Sequence, residues 1–140
     1  MTLHSYHYAD HVDVGPTIED PLLPQVMEAI DALDGETRWM VCLAHDEDCY
    51  LTVIGPAHAG YFLSVTDFDD QSYAPRNPAA GRRRVTCRFG DEELALRMDQ
   101  FVPREVVELA VTSFLEKLEL SWDIEWYDDD GRGDLLEREP

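Results

Sequence analysis

Between two helical stripes the chain carries a dense run of strand-forming residues, and that arrangement limits the folds open to it. Residues 37–44 (Thr-Arg-Trp-Met-Val-Cys-Leu-Ala), 49–54 (Cys-Tyr-Leu-Thr-Val-Ile) and 61–68 (Tyr-Phe-Leu-Ser-Val-Thr-Asp-Phe) are rich in β-branched, aromatic and aliphatic side chains. His45-Asp46-Glu47-Asp48 separates the first two as a polar hairpin loop, and Gly55-Pro56 with Gly60 brackets a turn before the third. Residues 2–8 alternate loosely and predict a first strand, closed off by Gly15-Pro16. A polar loop is predicted over 69–82. Val85–Phe89 and Glu92–Met98, joined by Gly90-Asp91, predict a further hairpin.

The two helices are read from apolar spacing. Leu22, Leu23, Val26, Ile30 and Leu33 recur at helical intervals with Met27 beside them; Asp20 is the expected N-cap, Pro21 the first helical residue, and Asp34-Gly35 the end. Pro103 opens the second helix, with Glu105 and Glu108 suited to its positive start. Val106, Val107, Ala110, Val111, Phe114, Leu115 and Leu118 form one continuous stripe that must cover a surface. Trp122, Ile124 and Trp126 follow at period two within Leu120–Tyr127, as a last short strand or extended segment. The expected fold is α+β: an antiparallel β-meander sheet with two helices packed on one face. It is read as one domain over 1–127, with 128–140 an acidic, mobile C-terminal tail.

Charge bears on partners. Eleven Lys and Arg face thirty Asp and Glu, a formal net charge of -19 over 140 residues. Such a surface repels nucleic acid and anionic membranes and attracts basic proteins at long range, so neither of the first two is expected as a partner. No apolar run approaches a membrane span, and Met1-Thr2-Leu3-His4-Ser5 lacks the basic start and apolar stretch of a signal peptide. Cys42, Cys49 and Cys87 are odd in number and without metal-like spacing. A cytoplasmic protein with free, mostly buried thiols is expected.

The motifs of catalysis are missing. There is no G-x-G-x-x-G, phosphate loop, G-x-S-x-G or H-E-x-x-H. His45-Asp46-Glu47-Asp48-Cys49 holds metal-capable side chains, but adjacent residues in a turn cannot converge on one ion. Asp67, Asp69 and Asp70 resemble the opening of a calcium loop, yet Ser72 stands where a glycine is needed and Pro78 where the closing Glu belongs. His4, His7 and His11 share a face only on a helix, which nothing here predicts. Arg82-Arg83-Arg84 with Arg88 is a short basic patch without stacking aromatics, read as pairing with the excess carboxylates or guarding a strand edge. No enzyme activity, cofactor or metal is expected.

The C-terminal half carries a resemblance. A strand at Val85–Phe89, Gly90-Asp91-Glu92-Glu93, a helix reading Val106-Val107-Glu108-Leu109-Ala110-Val111-Thr112-Ser113-Phe114, and Trp126 preceded by Glu125 together resemble immunity protein family 1 of bacterial polymorphic toxin systems. The meander from Trp39 to Phe68 is similar as well. That family's hairpin carries a Gly pair or Gly-Gln, where this chain has Gly90-Asp91. The resemblance implies a protein without catalysis of its own that blocks a cognate toxin stoichiometrically, often a deaminase or another effector acting on nucleic acid. It makes Phe114 and Trp126 packing residues. The charge fits: a toxin that grips nucleic acid is basic, and an acidic inhibitor is steered towards it. The alternative is an acidic adaptor or chaperone for a secreted basic protein; a small enzyme would need a pocket with converging titratable groups.

Binding residues are sought where aromatics and carboxylates share a loop. Asp67, Phe68, Asp69, Asp70 and Tyr73 form the first candidate, Asp46, Glu47 and Asp48 the second, and Asp128, Asp129 and Asp130 the third. The carboxylates of 67–70 are expected to occupy phosphate sites of a basic cleft with Tyr73 packed beside them. An unchanged toxin affinity and salt dependence in Asp69→Lys/Asp70→Lys would refute this.

Overall fold

A computed structural model of the chain describes residues 1–9, 12–13, 17–67, 71–89, 92–128 and 135–136. Strand β1 (Thr2–Ala9) is flanked by two short antiparallel strands, β2 (Val12–Asp13) and β3 (Thr17–Glu19). Helix α1 (Leu23–Asp31) leads into four consecutive strands, β4 (Arg38–Ala44), β5 (Tyr50–Ala57), β6 (Gly60–Thr66) and β7 (Ser72–Pro75). A hairpin of β8 (Arg84–Phe89) and β9 (Glu92–Arg97) follows, then β10 (Phe101–Val102), helix α2 (Arg104–Lys117) and β11 (Trp126–Asp128). The main sheet runs β11-β7-β6-β5-β4-β1 with every pairing antiparallel; β10 pairs with β6 beside β7. The architecture is α+β, an antiparallel sheet with two helices.

Strand pleating sorts the core into two layers. Val41, Leu43, Leu51, Val53, Leu63 and Val65 alternate onto one face, under Val26, Met27 and Ile30 of α1 and Val107, Ala110, Val111 and Phe114 of α2. The stripe read from the sequence is therefore the packed face of α2. The helices are clamped where Arg104 donates from Nε and Nη2 to the two Asp31 oxygens, at 2.6 and 2.9 Å, and from Nη1 to Glu108 at 3.3 Å. Ile54 and Phe62 point to the opposite face, where they meet Phe101 and the hairpin's Val85, Cys87, Phe89, Leu94 and Leu96. The hairpin forms as expected, but as a separate two-stranded sheet laid over the far face.

Several boundaries differ from expectation. Helix α1 starts at Leu23, two residues later than Asp20-Pro21 implied. The Asp20 N–H instead donates to Met1 O, and its carboxylate meets the Met1 amine at 3.2 Å; Gln25 Oε1 accepts from Leu22 N–H and does the capping. The turn bracketed by Gly55-Pro56 and Gly60 forms at His58-Ala59, both at positive φ, but β5 runs past Ile54 through Gly55-Pro56 to Ala57, with a register irregularity between Ile54 and Ala57. Gly60 is needed by its neighbour: a Cβ there would stand 2.9 Å from Val102 O. The loop predicted over 69–82 contains β7, whose four residues were masked by their polar and proline-rich surroundings. Trp122 does not share a face with Ile124 and Trp126; it sits in a turn, 40% exposed, while they are buried. The tail is not wholly separate: Asp128 ends β11, Leu135 bridges Tyr127, and Leu136 N–H donates to Trp126 O at 2.7 Å. The Gly15-Pro16 break and the Gly90-Asp91 turn lie outside the described residues.

Candidate functional site

Antiparallel connectivity puts the β4–β5 and β6–β7 loops at the same end of the sheet, and both are acidic. The first is tied by Asp46, whose Oδ1 accepts from the N–H of Asp48 at 2.8 Å and of Cys49 at 3.0 Å, while His45 N–H donates to Cys49 O. The second is tied in the same manner: Asp67 Oδ1 accepts from Gln71 N–H at 3.1 Å and Asp67 N–H donates to Gln71 O. Each aspartate sits at the opening of a turn because its short carboxylate reaches the backbone a few residues on. Asp46 also faces His45 Nε2 at 4.0 Å, and Glu47 and Asp48 are exposed beyond it.

Cys49 joins the loops. Burial pushes its thiol above the usual range, and the charges of Asp46 and Asp67 push in the same direction. Cys49 thus lies within electrostatic reach of one carboxylate from each loop. Next to it, Cys49, Val65, Asp67, Tyr73, Leu118 and Glu119 line a cleft of about 120 Å³ between the sheet end and the end of α2. Leu118 closes α2 in the left-handed conformation, φ 54°, with its N–H on Phe114 O, which turns Glu119 towards this cleft.

The structure therefore brings Asp46, Asp67 and Tyr73 into one neighbourhood, with Glu47 and Asp48 at its edge. Phe68, Asp69 and Asp70 lie outside the described residues, as do Asp129 and Asp130; Asp128 pairs with Tyr73 across β11 and β7. Glu119 was missed in the sequence. Its only signal was position, one residue past the last stripe residue, Leu118. Among the described residues no three His, Cys, Asp or Glu side chains are grouped as metal ligands, and no helix is long and apolar enough to cross a membrane.

The basic residues lie elsewhere. Arg84 and Arg88 alternate with Val85, Cys87 and Phe89 on β8, so they occupy the exposed side of the hairpin. That hairpin covers the His58 end of the far face, and the acidic loops cap the opposite end of the same strands. Compared with protein-family models and with curated proteins, the chain matches none.

Proposed function

We propose that this protein is an immunity protein that binds and neutralises a cognate toxin domain, a basic effector acting on nucleic acid such as a deaminase. The observation that carries the reading is the convergence of acidic loops at one sheet end: Asp46 and Asp67 around Cys49, and Asp67, Tyr73 and Glu119 along one cleft. Two carboxylates, Asp67 and Glu119, beside the Tyr73 ring along one cleft are suited to the cations with which such a toxin holds phosphates. The formal net charge of -19 adds long-range steering. The resemblance to immunity protein family 1 supplies the class, and its landmarks Ala110, Phe114 and Trp126 are buried, as packing residues in such a protein should be.

The test is co-expression with the product of the adjacent gene, followed by pulldown at low and high salt. Rescue of growth together with a one-to-one complex that high salt weakens is the expected result. A complex without toxicity or rescue would favour an acidic adaptor for a basic protein. Absence of any complex would sink the proposal.

A further inference from the structure

We infer that the partner docks along the outer face of α2 and the 119–125 segment, with Leu109 and Trp122 as its apolar anchors. This rests on the toxin-binding reading above and specifies its surface. The occupant is a lysine- and arginine-rich protein face that offers apolar pockets between its cations.

Two independent observations lead here. The first is apolar exposure. Leu22, Leu109 and Trp122, exposed by 68, 43 and 40%, are three of the four large hydrophobics most open to solvent among the described residues; Leu22 caps α1, Leu109 lies on α2, and Trp122 sits in the turn after α2 between Ser121 and Asp123. Leu109 falls off the packed stripe of α2, so core packing does not explain it. Glu108, Leu109, Thr112, Glu116, Ser121 and Asp123 line a shallow cleft of about 370 Å³, and Glu116 also borders a second one beside Leu22 and Leu115. Trp is among the residues that most often anchor an interface, and Leu109 borders the shallow cleft with polar groups around it.

The second observation is charge polarity. Segment 104–125 carries Glu105, Glu108, Glu116, Glu119, Asp123 and Glu125 against Arg104 and Lys117, and Arg104 is engaged by Asp31 and Glu108. Segments 82–89 and 92–97, on the far face of the sheet, carry Arg82, Arg83, Arg84, Arg88 and Arg97 against Glu92 and Glu93, with Arg97 engaged by Asp99 at 3.0 Å. A basic partner approaching this molecule is drawn to the helical layer and repelled from the hairpin. A second copy of the chain would set one acidic face against another. The surface also continues from the acidic cleft, since Leu118, Glu119 and Leu120 line that cleft and Lys117, Ser121 and Asp123 line the next.

The experiment uses the full chain and the adjacent gene product. Trp122→Ala and Leu109→Ala are each expected to weaken the complex, Trp122→Ala at least tenfold, with circular dichroism unchanged because both side chains are exposed. Arg84→Ala on the far face is expected to leave affinity unchanged. Hydrogen exchange on the unmodified complex gives a second readout: amides of 105–125 should gain protection, and those of 84–97 should not. Full affinity in both anchor variants, or protection confined to 84–97, would overturn the inference while leaving the immunity reading in place. A wild-type chain that does not bind would remove both. Light scattering showing a dimer of this chain that Trp122→Ala dissolves would assign the face to self-association, and overturn it also.

Discussion

Trp126→Phe tests how the C-terminal segment is held. Trp126 is wholly buried, and its indole Nε1 donates to Ser121 O at 2.8 Å across the loop that carries Trp122. Phenylalanine keeps the six-membered ring but loses the donor and the rest of the indole. Ser121 O keeps the N–H of Ile124 at 3.3 Å, so losing the indole donor costs the net value of one hydrogen bond, about 0.5–1.5 kcal/mol. The missing ring atoms leave a small cavity, worth roughly 1 kcal/mol by analogy with other single-step core truncations. The expected loss is about 1.5–2.5 kcal/mol, a sizeable share of the roughly 5–15 kcal/mol that holds an ordinary domain together. Urea unfolding followed by circular dichroism measures it, as a fall in midpoint with little change in slope. Trp122→Phe is the control: in an exposed turn it is expected to cost no more than about 0.5 kcal/mol. Equal losses in the two variants, or a Trp126→Phe loss under about 1 kcal/mol, would refute the account of the segment as pinned by this indole.

Three further outcomes are expected. Gly60→Ala places a Cβ 2.9 Å from Val102 O, against backbone that pairs β10 with β6, so urea unfolding should show a loss of about 1–3 kcal/mol. Burial pushes the thiols of Cys42, Cys49 and Cys87 above their usual range, so little thiolate forms at pH 8; a disulfide reagent should label the native protein slowly and all three thiols quickly in urea. The hydrogen bond from Arg104 holds the Asp31 carboxyl below its ordinary value, and a depressed carboxylate stabilises the fold above its unfolded pKa, near about 3.9. Asp31→Asn should therefore lower the urea midpoint at pH 7, with the difference from wild type shrinking as pH falls through the acid range; a difference that persists at the lowest pH would contradict this.

What the sequence made legible follows from periodicity. The α2 stripe, the β4 and β5 runs and the β8–β9 hairpin each repeat with a period that one secondary structure satisfies, and each was found where expected. The misreadings came where a strong local signal met a tertiary constraint. Gly55-Pro56 reads as the end of the second strand, yet pairing on β6 carries that strand through it to Ala57. Asp20-Pro21 reads as a helix cap, but Asp20 is held by Met1. Strand β7 is short and ends in a proline, and exists because β6 and β11 supply partners on both sides. For the site, Asp46, Asp67 and Tyr73 were legible as loop carboxylates and an aromatic. Their convergence on Cys49 was not, because it depends on which strand ends share an edge. Glu119 and Trp122 escaped because one follows a helix end and the other mimics a strand alternation.

The pairing of β1 with β4, across α1, governs the order in which the molecule can assemble. Hairpins β4–β5, β5–β6 and β8–β9 close over short loops, whereas β1 has no long neighbour until β4 exists. On a ribosome β1 emerges before α1 and β4 and must wait through the synthesis of a whole helix before it can be seated. The central meander is therefore expected to gain hydrogen-exchange protection first in refolding, at Val41, Val53 and Leu63, with Leu3 protected later. Simultaneous or earlier protection of Leu3 would show that the N-terminal strand helps to nucleate the sheet and does not merely complete it.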